Sequence, residues 1–275
     1  MIFLKKSQKI FFKKNGYLIV ENLINKKTVN KLRKLSYDLF NGKYKTSIAP
    51  DKIKNEKNEK KPKQLCNIWK SNYSFLDIIF SKKIAKLASE LTGWNGVRLN
   101  QDSLFLIPPK TGGVSMHQDE VYQDWHIPGK IITAWIALTD VSEKNAGLKY
   151  IIGSHKIKRL HKPLKKFFSG NNFKYSLAKF SQLKKKKMIT VRAKAGSVAF
   201  HHGRMWHGSG LNLSKKDRIS ISCHLMPANS KFSTIIKNPI FTRYKKFTTN
   251  KMDENFFPII WTKNNLRSKF IKKLK

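Results

Sequence analysis

Two residues that can bind a metal ion lie two positions apart near the middle of the chain. The stretch MHQDE at residues 116–120 contains His117 and Asp119. If residues 115–119 are extended, both side chains point to the same face, because side chains alternate along a strand. One imidazole nitrogen and one carboxylate oxygen could then share an ion. His-x-Asp pairs are common by chance, so a metal site requires a third ligand.

Candidates for the third ligand lie in the stretch AFHHGRMWHGSGLN, which contains His201, His202 and His207. Two histidines and one carboxylate on three corners of an octahedron leave three adjacent positions open. Non-haem Fe(II) enzymes use such positions for a chelating cosubstrate and for oxygen. The spacing is also compatible with a zinc hydrolase, since zinc accepts the same ligand types at an open site.

Arg218 begins the segment RISISCHLM, which predicts a strand. Alternation places Arg218, Ser220, Ser222 and His224 on one face and the apolar residues on the other. An arginine on the polar face needs an anionic partner, and its fork of N–H donors suits a carboxylate. That partner could be a bound ligand or a protein acid such as Asp217.

The composition predicts a globular protein with a basic surface. The chain has 275 residues, 40% of them hydrophobic, and a formal net charge of +41. Lysine is spread along the whole chain, which favours a biased coding sequence over a nucleic-acid-binding surface as its cause. Lysines interrupt the apolar N-terminus before a signal peptide or a membrane span could form. We therefore expect a cytoplasmic protein, and the oligomeric state stays open.

Hydrophobic patterning predicts a mainly β domain with flanking helices. A short strand over Tyr17–Val20 precedes a helix with an apolar stripe from Val29 to Leu39, and a second helix is expected over Ser81–Leu91. Strands without alternating helices then favour an antiparallel sandwich or jelly roll. We expect one domain, with an N-terminal helix and strand part (about 1–96), a jelly-roll core (about 97–230) and a C-terminal extension (about 231–275). Residues 41–64 lack apolar periodicity and are expected to form a flexible connection or lid, and the polar segments 41–64 and 156–188 are candidate lids.

Several motifs together resemble the phytanoyl-CoA dioxygenase family of Fe(II)/2-oxoglutarate oxygenases. They are the HQD at 117–119, the GSH at 153–155 that follows an acidic-Asn-Gly turn, and the HGSGLN at 207–212 followed by Arg218. The opening FFKKNGYLIVENLINKKTVNKLR is similar to the N-terminal strand and helix of that family. The resemblance covers most of the chain and implies a double-stranded β-helix (jelly-roll, cupin-like) core.

The resemblance also implies roles for individual residues. His117, Asp119 and His207 would be the iron ligands, and Arg218 would hold the distal carboxylate of 2-oxoglutarate. Trp135 and Ser209 fall where the family commonly contacts this cosubstrate. Gln118 should point away from the ligands on a regular strand. His201 and His202 are interpreted as core residues or as hydrogen-bond partners of the ligands.

The function that this resemblance implies is hydroxylation of a small organic substrate with O2, with conversion of 2-oxoglutarate to succinate. The carboxylate of Asp119 favours hydroxylation over halogenation, because the related halogenases lack this ligand. The substrate is open, and a basic surface is compatible with an anionic one. Two alternatives remain: an inactive oxygenase fold that binds a polyanion or serves as a scaffold, and a zinc hydrolase, which leaves Arg218 unexplained.

Overall fold

The computed structural model describes residues 3–54, 61–157, 168, 183, 185–235, 238 and 240–272. Parts of both candidate lids therefore lie outside the described residues, namely 55–60 in the first and 158–167, 169–182 and 184 in the second. Within the described chain, no helix is long and apolar enough to cross a membrane.

Five α-helices, five short 3-10 helices and thirteen strands have their bounds in the described part of the chain. The helices are α1 (Lys6–Asn15), α2 (Lys26–Phe40), α3 (Leu76–Ile79), α4 (Lys82–Thr92) and α5 (Lys269–Lys272). The strands are β1 (Tyr17–Val20), β2 (Lys52–Lys54), β3 (Lys63–Cys66), β4 (Gly96–Ile107), β5 (His126–Ile127), β6 (Ile132–Ala137), β7 (Leu148–Ile151), β8 (Met188–Thr190), β9 (Val198–His202), β10 (His207–Ser209), β11 (Arg218–Pro227), β12 (Lys231–Phe232) and β13 (Ile259–Thr262).

Both helices that the sequence predicts are confirmed, and both have recognisable ends. The Asn25 side chain accepts a hydrogen bond from the Thr28 N–H (2.8 Å) at the start of α2. Ser81 caps α4 in the same way by accepting from the Ile84 N–H at 3.3 Å. Such caps satisfy N–H groups that have no partner within the helix. Gly93 ends α4 with φ of 75°, a left-handed conformation that glycine adopts without strain.

A large antiparallel sheet is the main element of the fold. Its strand order is β1-β9-β6-β11-β4-β3-β2, and β13 pairs with β4 as well. The longest pairing joins β4 to β11, from Arg218 opposite Ile107 to Pro227 opposite Val97. These two strands form the centre of the sheet, so residues on β11 have fixed positions relative to β6 on one side and β4 on the other.

A second, three-stranded sheet with the order β10-β7-β8 packs on one face of the large sheet. The apolar layer between them combines side chains from β6 and β9 with side chains from the smaller sheet and its connections: Trp135, Ala137, Val141, Leu148, Tyr150, Val191, Ala199 and Met205. Two antiparallel sheets around such a layer form the predicted jelly roll.

The opposite face of the large sheet packs against the helices. Ile219, Ile221 and Leu225 of β11 belong to the same buried cluster as Leu32 of α2 and Leu87 of α4. The predicted alternation of β11 is therefore confirmed, because these apolar residues face the helices. The polar residues of β11 face the other way, toward the interior of the jelly roll.

The prediction that residues 41–64 form a flexible connection was wrong for two described parts of that segment. β2 begins at Lys52, and β3 begins at Lys63; both strands extend the large sheet. Gln64 lies opposite Phe105, and Cys66 lies opposite Ser103 on β4. The lysine-rich composition concealed these strands, because β3 is stabilised by pairing with β4 and β2 by pairing with β3, and not by a local apolar pattern.

A buried carboxyl on β4 makes the stability of the fold depend on pH. Asp102 is inaccessible to solvent; its Oδ1 accepts from the Ile68 N–H at 2.9 Å. Its Oδ2 has no hydrogen-bond partner among the described residues. Burial raises the pKa of Asp102 from 3.8 to about 7. Between these values the folded chain binds more protons than the unfolded chain, so the free energy of unfolding falls as the pH rises.

We predict that Asp102→Asn, which imitates the protonated carboxyl, removes this loss of stability with rising pH. The unfolding free energy of the variant relative to the native protein should increase with pH by up to about 1.4 kcal/mol per pH unit below neutrality. Urea unfolding of both proteins at several values from about pH 5 to about pH 8 measures the difference. The exposed Asp77→Asn is the control. A relative stability of Asp102→Asn that stays constant with pH would contradict the prediction.

Candidate metal centre

His117 and His207 face each other across an antiparallel bridge. The His117 N–H donates to the His207 carbonyl at 2.8 Å, and the His207 N–H donates to the His117 carbonyl at 3.0 Å. Each imidazole places its Nδ1 next to a backbone carbonyl, that of Ser115 at 2.7 Å and that of Met205 at 2.9 Å. An Nδ1–H donor in this position fixes the ring and directs the Nε2 lone pair to the cavity.

Asp119 completes a group of three potential ligands. Its Oδ1 lies 3.3 Å from Nε2 of His117 and 3.4 Å from Nε2 of His207. The ligand atoms of the three residues all lie within 4.8 Å of one another. The extended backbone expected over 115–119 ends at Gln118, and Asp119 begins a 3-10 helix over Asp119–Tyr122. The carboxylate nevertheless faces the same cavity as both imidazoles.

The other carboxylate oxygen of Asp119 is held by two residues of the large sheet. Thr133 on β6 donates its hydroxyl to Oδ2 at 2.6 Å, and Nε2 of His201 on β9 lies 3.0 Å from the same atom. The Tyr150 hydroxyl on β7 in turn lies 2.9 Å from Nδ1 of His201. This chain of contacts fixes the carboxylate with Oδ1 directed at His117 and His207. The interpretation of His201 as a hydrogen-bond partner of a candidate ligand agrees with this geometry.

The electrostatics favour the ligand forms of these groups at neutral pH. Burial alone would raise the pKa of Asp119, but His207, His224 and the hydrogen bonds from His117 and His201 together hold it well below its usual range. Burial lowers the pKa of the His207 imidazole well below 6.5. Asp119 is therefore a carboxylate, and His207 is a neutral imidazole with a lone pair.

Arg218 points into the same cavity from the start of β11. It is buried, with Nη1 donating to Ser220 Oγ at 2.7 Å and Nη2 donating to Ser209 Oγ at 3.3 Å. Its guanidinium carbon lies 5.7 Å from the centre of the Trp135 ring. Its Nε has no hydrogen-bond partner within the described chain. Trp135 and Ser209, which the sequence analysis assigned to the cosubstrate, are thus both next to Arg218.

Arg218 does not pair with Asp217, which was the alternative that the sequence left open. Asp217 accepts a hydrogen bond from the Tyr37 hydroxyl at 2.9 Å on the surface of the domain. In the described part of the chain, no carboxylate forms an ion pair with Arg218. A buried cation without a protein acid is costly unless a ligand supplies the negative charge.

One cavity of about 210 Å³ contains all of these groups. Its described lining includes the three potential ligands and Arg218, together with Trp135, Ser209, Thr133, His201, Tyr122, Gln64, Gln101, Ser222 and His224. Two imidazoles and one carboxylate on one side of an ion form the facial set of a non-haem Fe(II) site, with the remaining positions open to ligands. The three donor groups therefore fit an iron ion, and a guanidinium without a carboxylate partner in the described chain fits a dicarboxylate beside it.

The remaining predicted positions also have definite locations. Gln118 points away from the cavity, as expected, and donates to the Arg204 carbonyl at 2.7 Å. His202 accepts from the Arg204 N–H at 3.0 Å and does not line this cavity. His224, which received no role from the sequence, lies with Nε2 3.6 Å from Oδ2 of Asp119.

Sequence reasoning missed two residues that support Asp119, namely Thr133 and Tyr150. A signal for Thr133 was available, because it is two positions from Trp135 on a predicted strand and so shares its face. Tyr150 reaches Asp119 only through His201, and no local pattern indicates such a contact. Its discovery required the packing of the small sheet on the large one.

Comparison with known proteins agrees with the fold. The model of the family described as "Phytanoyl-CoA dioxygenase (PhyH)" matches residues 12–220. The phytanoyl-CoA dioxygenase of Arabidopsis thaliana is 29% identical over 259 residues, which cover 80% of this chain and 87% of the relative. A probable phytanoyl-CoA dioxygenase of Caenorhabditis elegans is 27% identical, with coverage of 80% and 75%.

Two solved structures illustrate the shared fold. The epimerase SnoN, solved in complex with Fe3+, α-ketoglutarate and nogalamycin RO, has a TM-score of 0.74 at 18% identity, covering 93% of this chain and 98% of SnoN. EctD from S. alaskensis, solved with 2-oxoglutarate and 5-hydroxyectoine, has a TM-score of 0.71 at 18% identity, with coverage of 91% and 87%. The match of the family model over most of the chain shows that this protein belongs to the phytanoyl-CoA dioxygenase family of non-haem Fe(II)/2-oxoglutarate-dependent oxygenases.

Proposed function

We propose that this chain hydroxylates a small organic substrate and that His117, Asp119 and His207 hold its Fe(II). The observation that carries the proposal is that three donor atoms lie within 4.8 Å of one another in one cavity. The same cavity contains Arg218, which has no carboxylate partner in the described chain. The carboxylate ligand favours hydroxylation, since the halogenases of this class lack it. Residence in the cytoplasm and action as a single domain are part of the proposal.

The metal and the cosubstrate supply the oxidative chemistry when bound, in which 2-oxoglutarate is decarboxylated to succinate and the substrate receives an oxygen atom. The protein supplies position and charge. The carbonyls of Ser115 and Met205 orient the two imidazoles, and Thr133 and His201 orient the carboxylate. A ligand set fixed in this way requires little rearrangement when iron enters.

Arg218 is proposed to bind the distal carboxylate of 2-oxoglutarate. A guanidinium can donate two parallel hydrogen bonds to a carboxylate, and such charge-assisted pairs are among the strongest in proteins. Trp135 lies beside the guanidinium, and Ser209 already accepts one of its N–H groups. These two residues therefore limit the directions in which Arg218 can turn and aim it into the cavity.

We predict that the purified protein forms succinate from 2-oxoglutarate with Fe(II), ascorbate and oxygen, even without a substrate. His207→Ala should reduce succinate to background, because one imidazole ligand is lost. His202→Ala, which alters a histidine outside the cavity, is the matched control and should retain the activity. Chromatographic measurement of succinate tests the prediction.

The inactive-fold alternative gives a different result in the same preparation. It predicts no succinate and no binding of 2-oxoglutarate to the anaerobic iron form, together with tight, salt-sensitive binding of a polyanion such as RNA. This combination would refute the proposed function.

Replacement of Arg218 should weaken 2-oxoglutarate binding more than metal binding. We expect Arg218→Met to raise the KM for 2-oxoglutarate roughly 10- to 100-fold, the cost of losing charge-assisted hydrogen bonds. Fe(II) affinity should change little, because Arg218 does not contact the ligand atoms. Arg192→Met, at an exposed arginine, is the control. An unchanged KM would show that the cosubstrate is anchored elsewhere.

Replacement of Thr133 should weaken the metal site without removing a ligand. Thr133→Val deletes the hydroxyl that donates to Asp119 and retains the shape of the side chain. Loss of such a supporting hydrogen bond typically reduces metal affinity by about 10- to 100-fold. Titration with Fe(II) or Co(II) under anaerobic conditions measures the change. Thr133→Ser retains the donor and should bind nearly normally; equal affinities of all three proteins would contradict the role.

A further inference from the structure

A row of polar side chains on three adjacent strands lines the cavity and has no role in binding the metal or 2-oxoglutarate in the proposal above. Gln64 lies on β3, Gln101 lies on β4, and Ser222 and His224 lie on β11. The sheet register places His224 opposite Gln101 and Ser222 opposite Ser103. These four residues, here called the polar wall, therefore form a continuous patch of one sheet face.

The two glutamines of the polar wall are oriented by one serine. Ser103 Oγ accepts a hydrogen bond from Nε2 of Gln101 at 2.8 Å and from Nε2 of Gln64 at 3.3 Å. The Ser103 hydroxyl itself lies 3.5 Å from Cys66 Sγ, to which it donates. Both side-chain amide nitrogens thus already donate a hydrogen bond within the protein. The two carbonyl oxygens are left as the groups that can contact a ligand.

Those carbonyl oxygens are acceptors that the described part of the protein does not satisfy. Gln64 and Gln101 are 7% and 9% exposed, and neither Oε1 receives a hydrogen bond from a described residue. Ser222 is 6% exposed, and its hydroxyl has no partner in the described chain. Nδ1 of His224 is buried without a partner there. The two carbonyl oxygens and the Ser222 hydroxyl belong to side chains that line the cavity, so they are available to a ligand that supplies donors.

The size and charge of the cavity limit the ligand further. Its volume of about 210 Å³ is below the range of about 300–1,000 Å³ that is common for small-molecule pockets. 2-Oxoglutarate must occupy part of it, so the part of the substrate that lies inside the cavity beside the cosubstrate must be small. Lys54 and Arg218 are the cationic side chains of the described lining, and Asp119 is its carboxylate. This balance does not favour a cationic substrate.

We propose that the substrate is a small neutral or anionic molecule that presents at least two O–H or N–H donors to the carbonyl oxygens of Gln64 and Gln101. Hydroxylated compounds and amides of a few carbon atoms fit this description, whereas long-chain acyl thioesters do not. The inference rests on the proposed function, because it assigns the substrate position of the same site. Gln64, Gln101 and Ser222 are its specificity residues.

Saturation-transfer NMR on the protein loaded with Zn(II) and 2-oxoglutarate tests this inference without turnover. One probe set carries donors and consists of erythritol, serine and malonamide. The second set has similar size but only acceptors and consists of pentanoate, 2-pentanone and cyclopentanone. Octanoyl-CoA represents the acyl thioesters. Binding of 2-oxoglutarate is measured first, and its failure would overturn the proposed function and not the substrate class alone.

The expected result is transfer to at least one donor-bearing probe, with affinity reduced at least about tenfold in Gln101→Met and in Ser222→Ala. Ser197→Ala removes a buried hydroxyl that also lacks a partner but does not line the cavity, so it is the matched control. Thermal unfolding checks that each variant is folded, and Ser222→Ala supplies the test if Gln101→Met does not fold.

Three results would overturn the proposed substrate class once 2-oxoglutarate is seen to bind. In the first, the acceptor-only probes or octanoyl-CoA bind in preference to the donor set. In the second, donor probes bind, but neither substitution changes their affinity. In the third, no member of the donor set binds.

Discussion

The buried carboxylate of Asp119 requires hydrogen bonds and opposite charge around it, and the surrounding strands must supply them. A charge that is only 5% exposed is tolerated when hydrogen bonds and opposite charge compensate for its lost hydration. Thr133 and His201 satisfy one oxygen, and the imidazoles of His117 and His207 lie beside the other. The same compensation that makes burial possible also leaves one oxygen and two ring nitrogens facing each other. The stability of this region and its capacity for a metal ion therefore have one physical origin.

The jelly roll meets this requirement because it brings residues from two sheets to one point. The large sheet supplies Thr133, His201 and Arg218, and the small sheet supplies Tyr150 and His207. Period-two alternation lets each strand serve both sides, as β11 does by packing its apolar residues on the helices while Arg218 faces the cavity. The site consequently depends on the packing of the sheets on each other, and a change in the layer between them would move ligands that belong to different sheets.

The sequence predicted the elements whose signals are local. The alternation of β11 and the apolar stripe of α2 are such signals, and the structure confirms both. The strands β2 and β3 carry no such pattern, and they were missed. Pairing with β4 stabilises β3, and pairing with β3 stabilises β2. For the candidate site, the spacing of His117 and Asp119 was visible, whereas the choice of His207 over its neighbours rested on resemblance. Tyr150 and Gln64 contact the site through tertiary structure alone, so one sequence could not reveal them.

Neither the composition of the chain nor its family membership selects the substrate. The net charge of +41 belongs to the whole chain, and solvent ions screen charges beyond about 8 Å. Inside the cavity, the nearest groups dominate, and these are one carboxylate, two cations and a wall of neutral amides and hydroxyls. Family membership determines the fold and the reaction class, which many substrates share. Discrimination among substrates must therefore come from residues such as Gln64 and Gln101, whose acceptors are oriented by Ser103 before any ligand arrives.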